Sequence, residues 1–463
     1  MSLAMELGEH IVRSTPDALD RGTLECIKRL VLDQVACIIA GTTRPQARVV
    51  AESASILGDS IEASIMPFGP RVSRARAVYF HSYCGNLVDA DDTFVNDDWT
   101  VVGHVGAVVV PVGLACSEFA CKSGLELAVA IALGYDIAIR MGLAARPSVE
   151  DAARAKGMGT WQILGAAATA SKLLDLTSRE CAHALCIAAV SAPVPSLNAF
   201  YDKANRVAWI KNNLGWASLG GLISALLAGR GMKGNLDLFD AGEFSRMCAS
   251  SQWDESCVQV FSPQSFFVRQ VSLKPYPACW YTIGALNAAH QLVSKYGVFA
   301  EGNIQRVIVE VQSDFLAAKL SRYPSDSMDV PFSIPYLIAC SLLGDYKALW
   351  SPDSDTIDSH SIKELGAKID VRLVSTPSYS MSETYAKIIV HSMSGEIFTV
   401  ETSLPPGSSV RPLGRTALET KFVRLVEPVM GRTRADKLLA MIEHMDEIAN
   451  MSEVCTEVFL PAE

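Results

Sequence analysis

Apolar residues recur at helical spacing through the first half of the chain. Between residues 21 and 41 they include Leu24, Ile27 and Leu30, and Gly41 closes the run. This spacing predicts one long helix that ends at the glycine. The same pattern predicts helices at 45–57, 74–88, 106–122, 125–143, 159–174, 178–192 and 214–229. The segments from 106 onward are rich in Ala and Gly and apolar on nearly every face, so we expect these helices to be buried against one another.

The pattern changes near Pro263. Residues 303–312 alternate between apolar and polar positions and are rich in β-branched side chains, which predicts a strand. Further strands are predicted at 368–374, 385–392 and 396–402, the last two as a hairpin, with helices at 280–296 and 331–343. After Pro405, helical spacing returns at 416–426 and 434–449.

This order of elements predicts a mainly α fold with an α+β second domain. We expect a large all-helical domain from residues 1–263 and 406–463, and a smaller α+β lid domain from residues 264–405. The last helices should then pack back onto the first domain. A chain of 463 residues is also too long for one compact core, which favours two domains.

Composition narrows the possible partners. The chain is 49% hydrophobic and 19% charged, which is typical of a globular protein. Its net charge is −10 and it has no basic stripe, so we expect no nucleic-acid partner. Its twelve cysteines lack paired spacing, which indicates reduced thiols in the cytoplasm. We see no signal peptide, and the apolar run Val105–Cys116 is too short to span a bilayer, so we expect no membrane partner.

The candidate chemistry is concentrated between His81 and Gly106. Five carboxylates follow an apolar run within ten residues, Asp89, Asp91, Asp92, Asp97 and Asp98, and His104 comes shortly after them. If residues 81–93 are helical, Asp89 and Thr93 lie on one face. The segment is then either a proton-transfer site or a solvated, helix-capping loop. Apolar sequence on both sides favours the first alternative, because it would hold the loop against a core.

Four segments of the sequence can be compared with known families: Asp89–Ala–Asp–Asp–Thr93 with His104, Gly165–Ala–Ala–Ala, Trp209–Ile–Lys211, and Lys274–Pro–Tyr–Pro–Ala–Cys279. Together they resemble the MmgE/PrpD family and, with the order of elements, cover nearly the whole chain. The resemblance implies a helical domain with an α+β lid, a homodimer, and a cleft between the domains. It also implies chemistry without a cofactor on di- or tricarboxylates similar to citrate or aconitate.

The resemblance also implies roles for individual residues. Asp89 and His104 would move protons, Thr93 would hydrogen-bond a substrate carboxylate, and Lys211 would pair with that carboxylate across the cleft. We expect a neighbouring carboxylate to raise the pKa of His104, so that it acts as an acid near neutrality. Further candidates are Lys156 as a catalytic base and Lys203, Arg206, Lys274 and Tyr281 as substrate-binding residues.

The chain departs from the family pattern at several positions. His104 is followed by Val105 instead of proline, Lys156 stands where many members have a histidine, and Ile283 stands at the usual histidine position of the lid. These departures leave three functions open. The first is a cofactor-independent lyase, either a dehydratase or a decarboxylase. The second is an epimerase or isomerase acting on a less charged substrate, and the third is a scaffold that has lost catalysis.

Two further expectations concern the assembly and its cofactors. The apolar segments between 106 and 143 offer more hydrophobic surface than one small domain can cover, so we expect a homodimer buried largely through the first domain. The sequence has no P-loop, no dinucleotide-binding glycine motif and no spacing that gathers three metal ligands. We therefore expect neither a metal nor an organic cofactor.

Overall fold

The structure is a computed structural model, and its first half is helical. It describes residues 1–95, 101–145, 158–194, 199–202, 204, 206–240, 242–248, 250–259, 266–312, 320–374 and 384–459. The longer helices of the first half are α1 (Leu3–Arg13), α2 (Arg21–Gly41), α3 (Pro45–Ser53), α4 (Arg74–Gly85), α5 (Gly106–Phe119), α6 (Gly124–Ala144), α7 (Gln162–Leu173), α8 (Ser178–Val190) and α9 (Leu214–Ala228). Two short helices follow, α10 (Glu243–Met247) and α11 (Glu255–Val258). Two short strand pairs lie between the longer helices. The strands β1 (Ala63–Ser64) and β2 (Arg71–Val72) pair between α3 and α4, and β3 (Phe94–Val95) and β4 (Val101–Gly103) pair between α4 and α5.

Small residues let the central helices α6, α7 and α9 pack closely. A methyl group added at Gly165 of α7 would lie 2.4 Å from the carbonyl oxygen of Gly134 in α6. One added at Gly221 of α9 would lie 2.3 Å from the side chain of Ala166 in α7. Glycine at these positions therefore sets the spacing of the helices that support the acidic loop.

The apolar surfaces of α5 and α6 are covered within the chain itself. By length and composition α6 could cross a membrane, but 94% of its most apolar stretch is buried inside the protein, as in the core helix of a globular domain. Every residue of α5 except Phe119 is also buried. The argument that these two helices supply a dimer surface is therefore wrong. Large apolar side chains are exposed elsewhere, including Trp216 and Ile223 on α9.

The second half combines a mixed sheet with helices. Its strands are β5 (Ile304–Gln312), β6 (Ile369–Val374), β7 (Ala386–Ser392) and β8 (Ile397–Thr402), and its helices are α12 (Trp280–Tyr296), α13 (Ile334–Leu343), α14 (Tyr346–Trp350), α15 (Ser354–Ile357) and α16 (His360–Ala367). The order across the sheet is β6-β5-β7-β8, with β5 parallel to β6 and the other two pairs antiparallel. Buried Val307 and Val309 of β5 and Ile388 of β7 belong to its apolar face, and α12 packs against β7 and β8. The predicted fold class, mainly α with an α+β second part, is confirmed.

The chain ends in helices that return to its first half. These are α17 (Arg415–Met430), α18 (Arg432–Glu443) and α19 (Met451–Phe459). Helices α17 and α18 pack on α2, and α19 packs on α5. The domain boundaries near 263 and 405 stay predictions, but this packing brings the C-terminal segment beneath the acidic loop.

Candidate active site

The acidic loop begins where α4 ends, at Gly85. Residues 86–88 form a turn, and Asp89 has a left-handed backbone with φ of 53°. The hypothesis that residues 81–93 are helical, with Asp89 and Thr93 on one face, is therefore wrong. The side chain of Asn86 explains the early end, because its amide nitrogen lies 3.1 and 2.8 Å from the two carboxylate oxygens of Asp91. That contact turns the chain inward and buries Asp89, Asp91 and Asp92.

Asp89 is paired with two buried lysines. The Nζ of Lys274 lies 2.5 Å from Oδ1 of Asp89 and donates to the Asp89 carbonyl oxygen at 2.9 Å. The Nζ of Lys211 lies 3.3 Å from the same Oδ1. Burial alone would raise the pKa of Asp89, but the two ammonium charges outweigh it and hold that pKa well below its ordinary value. Asp89 is therefore a fixed anion that orders two cations.

Lys211 reaches this position through a strained turn before α9. Its φ is 44°, its Nζ donates to the carbonyl oxygen of Asn86 at 2.8 Å, and the same Nζ lies 5.8 Å from the ring centroid of Phe332. We expected Lys211 to face the acidic loop across a cleft. That expectation is wrong, because Lys211 contacts the loop directly and is itself buried.

His104 is held by acceptors from the acidic loop. Its Nδ1 lies 3.0 Å from Oδ2 of Asp91 and 3.0 Å from the carbonyl oxygen of Asp92. Both neighbours are acceptors, because the pKa of Asp91 is lowered: burial raises it, but His104 and the nearby lysines lower it more. We infer that Nδ1 carries the proton of the neutral ring and that Nε2 keeps a free electron pair.

The expected direction of the His104 pKa shift is also wrong. Burial of the ring lowers the pKa, and the opposing effect of the Asp91 carboxylate does not compensate for it, while Lys274 adds to the decrease. His104 is therefore neutral near pH 7. In this state it can accept a proton but has none to donate from Nε2, so it fits a general base.

Asp92 differs from its neighbours because it has no cation partner among the described residues. Burial, followed by the charges of Asp91 and Asp33, raises its pKa well above the ordinary value. Its carboxyl oxygens accept from the backbone N–H of Gly106 at 3.1 and 3.2 Å, at the start of α5. Asp92 is thus a neutral carboxyl group that attaches the loop to α5.

The remaining candidate residues do not share one location. Thr93 forms an antiparallel bridge with Ser272, with N–H to O distances of 2.9 Å in both directions, so its backbone joins the acidic loop to the segment that carries Lys274. Arg206 is exposed and pairs with Asp202, with Nε 2.8 Å from Oδ2. Tyr281 is half-buried in the first turn of α12. Lys156 and Lys203, like Asp97 and Asp98, lie outside the described residues.

Two family models together match most of this sequence. The sequence matches the model of the MmgE/PrpD N-terminal domain over residues 5–255 and that of the MmgE/PrpD C-terminal domain over residues 276–447. The chain belongs to the MmgE/PrpD family. The resemblance found in its sequence motifs is therefore confirmed.

Three relatives align along most of this MmgE/PrpD chain. Cis-aconitate decarboxylase of Homo sapiens is 23% identical over 441 residues, which cover 93% of this chain and 89% of the relative. The enzyme of the same name from Mus musculus is 23% identical over 446 residues, or 94% and 88% of the two chains. Cis-aconitate decarboxylase-like protein oryM of Aspergillus oryzae is 22% identical over 478 residues, or 98% and 96%.

Several residues of this MmgE/PrpD site were not singled out from the sequence. Asn86 is the most central, because it contacts Asp91 and Lys211 and accepts from the side-chain amide of Asn212 at 2.9 Å. Its position directly before the acidic stretch was an available signal. No comparable signal marked Lys421, which reaches the loop from the other end of the chain.

One group in the described part of the chain could in principle hold a metal ion. Ligand atoms of Asp89, Asp91 and His104 lie within 4.8 Å of one another. However, Oδ1 of Asp89 is already shared by Lys211 and Lys274, and two ammonium groups so close would repel a cation. These residues therefore fit a metal poorly. The expectation that the protein needs no cofactor stays a prediction.

Proposed function

We propose that this protein is a cofactor-independent lyase that removes water or CO2 from a di- or tricarboxylate similar to citrate or aconitate. Family membership and the names of the relatives support a lyase of dehydratase or decarboxylase type that acts on a carboxylate. The observation that carries the proposal is the neutral His104 imidazole, held by Asp91 next to the Lys211–Asp89–Lys274 cluster.

The base step follows from the orientation of the imidazole. For the loss of water, Asp91 and the Asp92 carbonyl accept from Nδ1, which leaves Nε2 to take a proton from the carbon next to a substrate carboxylate. Loss of CO2 would instead require that a proton be delivered to the carbon that carried the CO2. When Nε2 becomes protonated, the ring turns into a cation that faces the Asp91 carboxylate at 3.0 Å. Asp91 therefore stabilises the charge that appears during proton transfer, as in other carboxylate–imidazole pairs.

Substrate binding follows from the donors of Lys211. Its ammonium group has three N–H bonds, and the described contacts use two of them, to the carbonyl of Asn86 and to Asp89. The third can bind a substrate carboxylate, and the charge of Lys211 provides local attraction in a chain of net charge −10. Lys274 is more deeply buried, with 1% of its side chain exposed, so its proposed part is to hold Asp89 and Lys211 in place.

A second candidate function is an isomerase that returns the proton without releasing a group. It is favoured by Ile283, which is fully buried and supplies no acid or base where the family usually has a histidine. All eight histidines of the sequence lie in the described part of the chain, and only His104 contacts the acidic loop. With one imidazole available, the release of a leaving group and the simple return of a proton are both open.

Proton NMR in D2O distinguishes these functions. The protein is incubated with citrates, aconitates and aspartate-derived acids, next to a His104→Gln control of the same concentration. New vinyl protons, or loss of CO2, support the lyase. Deuterium uptake at the carbon next to the carboxylate without net loss of a group supports the isomerase. No change with any acid contradicts both and favours a non-catalytic scaffold.

A further inference from the structure

The C-terminal helix α17 sends one lysine into the base of the candidate site. Lys421 is 3% exposed, and its Nζ has three acceptors within hydrogen-bond distance. One is Oδ1 of Asp33 in α2, the second is the carbonyl oxygen of Ala90 at 2.5 Å, and the third is the carbonyl oxygen of Lys274 at 2.8 Å. An ammonium group has three donors, so all of them are used.

Two of these acceptors belong to the backbone of the site itself. Ala90 lies between Asp89 and Asp91, so its carbonyl fixes the peptide that connects the two carboxylates. Lys274 is the residue whose own side chain pairs with Asp89. Lys421 therefore contacts both partners of the Asp89–Lys274 pair through their backbone, although they are 185 positions apart in sequence.

A simpler explanation is that Lys421 only neutralises Asp33. Burial raises the pKa of Asp33 and Lys421 opposes that shift, so the two form a buried ion pair. An ion pair of this kind needs only one of the three contacts, however. The two carbonyl contacts are aimed at the loop and at the Lys274 segment, and they would remain unexplained.

We propose that Lys421 is a positioning residue, which holds the Asp89–Asp91 loop and the Lys274 segment in register from behind the site. The kinetic part of this inference rests on the proposed function. Lys421 makes none of its described contacts with His104 or Lys211, so it acts through the backbone of other residues. The returning C-terminal helix then has a part in the geometry of the site as well as in the core.

A double variant separates positioning from neutralisation. Lys421→Met alone leaves Asp33 buried without a cation, which should lower the unfolding midpoint strongly. Adding Asp33→Leu, which branches at the same carbon, removes the orphan charge and should restore the midpoint. Positioning predicts that the double variant still has a kcat about 100-fold below wild type with a smaller change in KM, because small displacements of reacting groups have effects of this size. A return of kcat to the wild-type value would overturn the proposal.

One further variant serves as a control, and another replaces the double variant if that variant does not fold. Lys172 is half-buried and donates to the carbonyl of Val12 away from the site, so Lys172→Met should leave kcat within about twofold of wild type, as surface changes usually do. An equal loss of kcat in this control would overturn the positioning role. If the double variant does not fold, Lys421→Arg takes its place, because it keeps the charge opposite Asp33 but cannot place three donors at one point. Positioning predicts reduced kcat for Lys421→Arg, and unchanged kcat would contradict it.

Amide hydrogen exchange supplies a readout that does not depend on activity. In the folded double variant, or in Lys421→Arg if that is the variant that folds, we expect exchange to increase at least tenfold in segments 86–95 and 271–279 and to stay unchanged in α6 and α7. Unchanged exchange in the two segments would overturn the proposal. If wild-type protein is inert with every acid tested, the proposed function fails, while the exchange experiment still decides whether Lys421 holds the loop.

Discussion

The assignment of His104 as a base can be tested by removing the charge of Asp91. In Asp91→Asn the side chain keeps its shape, and it can keep an oxygen at the position of Oδ2, which faces Nδ1 of His104 at 3.0 Å. The hydrogen bond and the tautomer of the ring therefore persist. The change removes the negative charge, which is the main influence that raises the pKa of His104 against the effect of burial.

The direction and size of the effect follow from that charge. A neutral base works above its pKa, so wild-type activity should fall as pH decreases through the pKa of His104. Loss of the carboxylate lowers this pKa further. A partner charge at hydrogen-bond distance typically shifts a pKa by about 1–3 units, so the acid limb should move down by about 1–3 pH units. The plateau should fall as well, because a weaker base removes the proton more slowly.

The assay is the pH dependence of kcat/KM between about pH 4 and 9, together with NMR titration of the His104 ring, assigned by the signal that is missing in His104→Gln. The matched control is Asp92→Asn, which replaces a carboxyl group that is already neutral and should leave the acid limb in place. His104→Gln should reduce kcat about 100-fold or more. Activity that rises as pH falls, or a limb that does not move in Asp91→Asn, would refute the base assignment. A nearly wild-type His104→Gln together with an inactive Lys156→Met would identify Lys156 as the base.

Three further predictions concern binding, packing and assembly. Lys211→Met should raise KM with little change in kcat, measured by steady-state kinetics, because it removes binding shared by the ground and transition states; a loss confined to kcat would contradict this. Gly106→Ala would place a methyl group 2.3 Å from the Tyr135 hydroxyl. This overpacking should lower the free energy of unfolding by about 1–3 kcal/mol, measured by urea titration. Gly414→Ala, where the added methyl group would have nothing within 4 Å, should change that free energy little. Light scattering at micromolar concentration should give a homodimer that Trp216→Lys dissociates, since this exposed side chain lies on an apolar face of α9; a monomeric wild type would contradict it.

Local pattern was sufficient for most of the secondary structure. The predicted helix at 21–41 and the predicted helix at 280–296 match α2 and α12 at both ends, and the strand predicted at 303–312 is β5 at 304–312. These segments have a clear hydrophobic period and clear end signals. At the start of α2, for example, the Asp20 side chain accepts from the backbone N–H of Thr23 at 2.7 Å. In these segments the local sequence pattern and the tertiary packing favour the same secondary structure.

Some members of the candidate site were predictable from the sequence, and their arrangement was less so. The motif residues Asp89, His104, Lys211 and Lys274 lie together, although we expected Lys211 across a cleft. The end of α4 was not predictable, because it depends on a contact of Asn86 with Asp91 that exists only in the folded chain. The sign of the His104 pKa shift depends on how completely the ring is buried, which spacing in the sequence does not reveal.

Charge balance explains how so many ionisable groups can be buried together. Lys421 lies next to Asp33. Lys211 and Lys274 both lie next to Asp89. The His104 ring lies next to Asp91. Asp92, without such a partner, is neutral, and so is His104. Each of Asp33, Asp89 and Asp91 thus has a cation or the His104 ring beside it, which limits the desolvation penalty of burying the cluster.

This balance bears on the choice between elimination and epimerisation in the proposed function. When His104 takes a proton, the cluster gains one positive charge, which favours passing the proton on quickly. In a dehydration on one face of the substrate, the same imidazole can deliver the proton to the departing hydroxyl group, so one histidine acts first as base and then as acid. Epimerisation needs the proton to return on the opposite face, where a second donor must stand. Ile283, which stands at the lid position proposed for the family's histidine, supplies no such donor. The single imidazole therefore favours reactions that are completed on one face of the substrate, either elimination or return of the proton to a carbon on that face, over epimerisation.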